Sequence, residues 1–180
     1  QFEENEFKLA DLNEAMNKRL GSLKELFGVL QQVAGDTKSK FQNSIISAQI
    51  PGRAEFLDGL AQSMGKSSKL ASITEIERVW FEMQREMTES GKISRYEGPV
   101  VTRDGHVENR SILRIGTFTA FSDGDFLRYI PETSELLELS RQPSSRHVRE
   151  AEAFAASPGQ ALPIVVDPTG GSLMGLMTYV

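Results

Sequence analysis

The stretch ISRYEGPVVTRDGHVENRSILRIGTFTAFSDGDFLRYI, residues 93–130, decides the fold. The spacing of apolar residues drops here to a two-residue period, the mark of strands with one covered face. Two Asp-Gly pairs, Asp104-Gly105 and Asp123-Gly124, supply the positive-φ chemistry of tight hairpins. The spacing predicts strands over 93–101, 107–121 and 126–130, joined as an antiparallel meander. Pro131 halts the last strand, because proline has no N–H to give a ladder.

Upstream the period is helical. Ser72 with Glu75 three residues later forms a capping box, and Gly91 sits where a C-terminal cap belongs. Between them Ile73, Ile76, Val79, Trp80, Met83 and Met87 recur at three- and four-residue steps, which predicts a helix over 73–90 with this stripe as core. Glu82, Glu86 and Glu89, with Arg78 and Arg85, then read as its solvated side. A buried Trp80 would cost ~3–5 kcal/mol on truncation to alanine.

The first fifty residues show a narrower pattern. Phe2, Leu9, Met16, Leu23 and Leu30 fall seven apart; Leu12, Leu26 and Val33 hold the second seam position, with Asn5 and Arg19 as polar exceptions. This is a coiled-coil-like heptad seam, and a seam must be buried against something, so these eight apolar residues are the candidate partner-binding set. The pattern is already in phase at Phe2 without a capping residue, so Gln1 reads as a cut within a longer helix. Gly35 shifts the phase, Phe41, Ile45 and Ala48 continue a stripe, and Pro51-Gly52 ends the helix after the high forties. A short helix over 53–62 buries Phe56, Leu57 and Leu60, and Ser63–Lys69 reads as an exposed loop. Past Pro131, short helical pieces are expected around Glu135–Leu139 and His147–Ala156, a fourth strand at Leu162–Val166, and a turn at Asp167–Gly171. The expected class is α+β: a long N-terminal coiled-coil-like helix (1–50), then a domain (51–180) of short helices and a small antiparallel meander.

Composition narrows function by exclusion. A net charge of -5 and a pI near 5.2 oppose nucleic-acid binding, which needs a concentrated basic face. The chain has no cysteine, which removes disulfides, thiolate catalysis and zinc–sulfur sites. No stretch approaches the ~20 apolar residues of a bilayer span, and no export signal opens the chain.

Catalytic and metal constellations are equally sparse. His106 falls in a hairpin turn and His147 at a helix start, both expected to be solvated. Asp123 and Asp125 flank Gly124, but the further oxygen ligands and closing glutamate of a calcium loop do not follow. Gly170-Gly171-Ser172 lacks the lysine of a phosphate loop, and Ser44, Ser90 and Ser172 have no histidine nearby in sequence. Neither an enzyme nor a metal or cofactor site is expected.

Several segments in order carry a resemblance: LGSLKELFGV (20–29), QVAGD (32–36), AQIPGR (48–53), ERVWFEMQREMTESG (77–91), SDGDFLRYIPE (122–132), then Asp167-Pro168 with Gly170-Gly171. Across most of residues 20–175 the set resembles the N-terminal periplasmic extension of ExbB-like proteins in the MotA/TolQ/ExbB proton-channel family, the TtpC-type component of certain TonB systems. The resemblance implies an export signal and more coiled coil upstream, and three transmembrane helices downstream. In that family the proton gradient of the bacterial inner membrane energises TonB-dependent transport, and the proton-handling residues lie in the membrane helices, so none transfers here. What it implies for this chain is a soluble periplasmic interaction arm, contacting TonB- or ExbD-like components or a second copy through the seam. The alternative expectation is a cytosolic coiled-coil adaptor with a small β module.

Overall fold

The computed structural model describes residues 2–66 and 71–176, apart from the side chains of residues 2–5, 16, 17, 19, 20, 22–24, 65 and 66. In chain order the elements are α1 (Phe2–Gln42), α2 (Ile46–Gln49), α3 (Arg53–Lys66), α4 (Ile73–Ser90), β1 (Ile93–Val101), β2 (Val107–Ile115), β3 (Thr119–Ser122), β4 (Asp125–Ile130), β5 (Glu135–Glu138), α5 (Ser145–Ala156) and α6 (Ser172–Leu176).

The strands form a closed five-stranded barrel in the order β1-β2-β3-β4-β5, and this overturns the open three-stranded meander. Two local causes account for the difference. Gly116, at φ 54°, breaks the expected 107–121 strand in two; a Cβ there would lie 2.5 Å from the Ser90 carbonyl oxygen. The turn closes with the Phe118 N–H donating to the Ile115 carbonyl at 3.0 Å, and β3 folds back on β2. Second, Glu135–Glu138 is a strand, not a helix: it pairs antiparallel with β4 and parallel with β1, matching Val100 to Leu136 and Val101 to Leu137. An element this short takes its conformation from the open edges beside it rather than from helix propensity.

Alternation along the strands separates two cores. Val100, Ile112, Ala120, Leu127, Tyr129 and Leu136 cluster together, with Ile45 from the segment before α2 joining them. Residues of opposite parity, Leu113, Phe121 and Phe126, pack with Leu139, Ala151 of α5 and Met174 of α6. Gly171, at φ 93°, lets its loop lie directly against the Leu127 carbonyl, and the Tyr129 N–H donates to Gly170 at 2.9 Å. The expected strand at Leu162–Val166 has no ladder and remains irregular.

A third cluster joins Ala34 and Phe41 of α1 to Leu57 and Leu60 of α3 and Val79 of α4. α1 ends at Gln42, short of the expected high forties; the Ser47 hydroxyl donates to the Phe41 carbonyl at 2.7 Å and stabilises the break before α2. The coiled-coil description of α1 is also corrected. Its packing is with α3, through its C-terminal part, and every side chain from residue 6 to 15 is exposed. α3 runs through Ser63–Lys66, so the first half of the expected loop is helical; residues 67–70 lie outside the described residues. The fold is α+β with a closed barrel.

Candidate interaction surface

The polar side of α4 faces inward. Arg53 is 2% exposed and Arg114 is fully buried, and a buried guanidinium needs carboxylate partners to offset its lost hydration. α4 supplies them one turn apart. Arg53 Nη1 donates to Glu86 Oε2 at 2.5 Å, and the Ser44 hydroxyl donates to Glu86 Oε1 at 2.5 Å. The Arg53 fork also donates to the Ser47 hydroxyl and the Ile50 carbonyl, and its plane lies 4.4 Å from the Phe41 ring centre.

Arg114 holds the end of the helix. Its Nη2 donates to Glu89 Oε2 at 2.8 Å, and its Nη1 to the Glu89 and Gly116 carbonyls at 3.1 and 2.6 Å. Its Nε donates to Gln49 Oε1 at 3.0 Å, and Gln49 donates onward to Ser94. Burial lowers the Arg114 pKa from its ordinary value, against the opposing charge of Glu89. The Lys92 ammonium, bonded to Glu89 Oε1 at 2.8 Å, and the charge of Arg114 together hold the Glu89 carboxyl below its ordinary 4.5, against desolvation. Tyr96, whose hydroxyl has no partner among the described residues, is pushed up to about 12 by burial.

With Glu82, Glu86 and Glu89 facing inward, the 100° step of the helix turns the apolar stripe outward. Ile73 is 76% exposed, Trp80 64% and Met87 68%, with Ile76 and Met83 also exposed. The reading of this stripe as core and of the glutamates as solvated is therefore reversed; of the six stripe residues only Val79 is buried. The capping box at Ser72 and Glu75 and the helix bounds are as expected. Phe81 is exposed beside the stripe, with the Arg85 guanidinium 6.0 Å from its ring centre. Together these side chains leave an apolar helix face open to water.

The heptad seam of α1 is placed as follows. Leu9, Leu12 and Leu26 are exposed, as are Phe7 and Val29 beside them; Leu30 and Val33 are half-buried. The side chains of Phe2, Met16 and Leu23 lie outside the described residues. The α4 face was missed by sequence reasoning. α4 holds three glutamates on one side, but nothing in the sequence marks Arg53 and Arg114 as the buried cations they face: Arg128, between Leu127 and Tyr129, is exposed.

The remaining candidates stay apart. His106 and Asp123 are exposed in separate turns, Asp125 lies 3.6 Å from Arg103, and His147 contacts Glu150 at 3.1 Å. Among the described residues no three acidic or histidine side chains converge on a common metal position. Ser44 binds Glu86 and Ser90 binds the Met87 carbonyl, neither of them a histidine. Among the described residues no helix is long and apolar enough to cross a membrane. Comparison with protein-family models, with curated proteins and with solved structures finds no match to this chain.

Proposed function

We propose that this chain is a non-enzymatic protein-interaction arm, and that it serves as the periplasmic part of an ExbB/TolQ-like proton-channel component in TonB-dependent energy transduction. The observation that carries the interaction role is the outward stripe Ile73, Ile76, Trp80, Met83 and Met87 on a helix pinned by two buried arginines. Leaving such a stripe in water forgoes roughly 1.5–3 kcal/mol for each large side chain that a partner would cover. The exposed Leu9, Leu12 and Leu26 of α1 add a second apolar strip. The acidic balance of the chain favours a protein partner over nucleic acid. The envelope assignment rests on the ordered resemblance of residues 20–175 to the ExbB-like extension, which supplies the expected partners, TonB- or ExbD-like components or a second copy of the chain.

The test is site-specific photo-crosslinking in the native cell, with the probe placed at Ile76, Met83 or Leu12 of the full protein. Capture of an envelope component of the transport system at these positions, with none at exposed Asp104, is the expected result. Capture confined to cytosolic proteins would refute the envelope role, and no capture at any of the three would refute the arm itself.

A further inference from the structure

We infer that the partner on the α4 face is a second copy of this chain, seated helix on helix with the two α4 elements antiparallel; the inference rests on the interaction reading of α4 given above. The stripe steps by three, four, three and four residues from Ile73 through Ile76, Trp80 and Met83 to Met87. Turned end for end, such a row complements itself. About a two-fold axis midway between Trp80 and Met83, Trp80 of each copy meets Met83 of the other, and Ile76 of each meets Met87 of the other. A thioether against an indole ring is a favourable contact, and the symmetry makes it twice.

The flanks agree with this placement. The same axis sets Glu77 of one copy beside Gln84 of the other. Both are exposed, and neither side chain has a partner among the described residues, so a carboxylate acceptor and a carboxamide donor are free to meet. The area fits a pair as well. Taking ~200 Å² for a fully exposed large residue, the five stripe residues leave roughly 550 Å² open on each copy. Closing two such faces, with Glu77 and Gln84 at the margin, removes on the order of 1,200 Å² from water, the lower limit for a specific interface and the size of a dimer that forms and parts. A lipid surface fits less well. α4 has no lysine, its arginines Arg78 and Arg85 are turned onto Phe56 and Phe81, and the chain is acidic.

Two measurements on the full chain test the pair. Trp80 is the only tryptophan, so its emission should move to shorter wavelength as concentration rises from ~1 to ~500 μM, in step with a dimer seen by sedimentation velocity. Met87→Asp, at an exposed position with folding checked by circular dichroism, should raise the dimer dissociation constant at least ~10-fold. Leu173→Asp, at an exposed apolar residue of α6, should leave it unchanged. Because the chain has no cysteine, Glu77→Cys and Gln84→Cys report the orientation directly. Like positions lie ~10 Å apart along the axis of the antiparallel pair, so under mild oxidation a mixture of the two variants should form the mixed disulfide at least ~10-fold faster than either variant pairs with itself. A chain that stays monomeric to the highest concentration, a dimer unmoved by Met87→Asp, or self-disulfides as fast as mixed ones would overturn the pairing. Each of these leaves the arm reading to its own test, because photo-crosslinking of Met83 to a different protein reads the α4 face without any second copy.

Discussion

Arg114 is a buried residue that ties β2 to two helices. It carries four hydrogen bonds from β2 to α2's Gln49, to the end of α4 and to the Gly116 turn. Replacing it with methionine keeps the volume and the apolar stem but removes the guanidinium from Glu89 Oε2, from Gln49 Oε1 and from the Glu89 and Gly116 carbonyls, leaving Lys92 as the cation on Glu89. Breaking one side of a buried pair costs ~3–5 kcal/mol, so Arg114→Met should lower unfolding free energy by about that amount in urea titration. The same node sets an acid limb. Because the Glu89 carboxyl titrates below its ordinary 4.5 in the folded chain, its contribution is fully present above the unfolded value and is lost as pH falls through the folded one. Stability should therefore decline on acidification below pH 4.5, and Glu89→Gln should flatten that decline; an unchanged slope would show that other carboxylates govern it. At Gly116, a Cβ would meet the Ser90 carbonyl while φ stays positive, so Gly116→Ala should cost on the order of 2 kcal/mol or more, seen as a lowered Tm.

Among the elements, α4 separates what a sequence states from what it leaves open. Its ends were legible because capping chemistry is local: Ser72 and Glu75 satisfy each other's backbone donors whatever the helix packs on. Its orientation was not. A period of 3.6 says that a stripe exists, and says nothing about whether water or protein covers it. Here two buried cations from distant segments fixed the rotation, and their burial cannot be read from spacing. Trp80→Ala should accordingly change stability by no more than ~1 kcal/mol in denaturant titration, well below the figure expected for a core tryptophan, while abolishing crosslinking at Met83. The strands tell a similar story. The Asp-Gly hairpins were legible, and both turns lie where expected, with Gly105 and Gly124 at positive φ. The break at Gly116 and the strand Glu135–Glu138 were not, because each depends on a partner brought from elsewhere: Ser90 in the first case, β1 and β4 in the second.

At the scale of the whole molecule, the helical part and the barrel interior are stitched by contacts that cross between them. Ile45 leaves the helical segment to enter the barrel cluster, the Tyr129 hydroxyl donates to the Gln42 carbonyl at 3.0 Å, and Arg114 ties β2 to α4. A charged residue in place of Leu12, which belongs to none of the apolar clusters, should impair assembly with partners while leaving the thermal unfolding of the chain within ~0.5 kcal/mol of the parent, measured by calorimetry beside a pull-down from native membranes. None of the stitching contacts is short-range in sequence, which is why the chain's separate helical and β patterns were visible while their joints were not.

The parallel pairing of β1 with β5 has a kinetic consequence. Val100 emerges from the ribosome early but finds its mate only when Leu136 has followed, so the sheet spends part of its synthesis as an open ribbon with both margins bare. A released fragment ending at Ile130 should therefore cling to chaperones or to its neighbours, and one extended through Glu138, which supplies the last stave, should cling less.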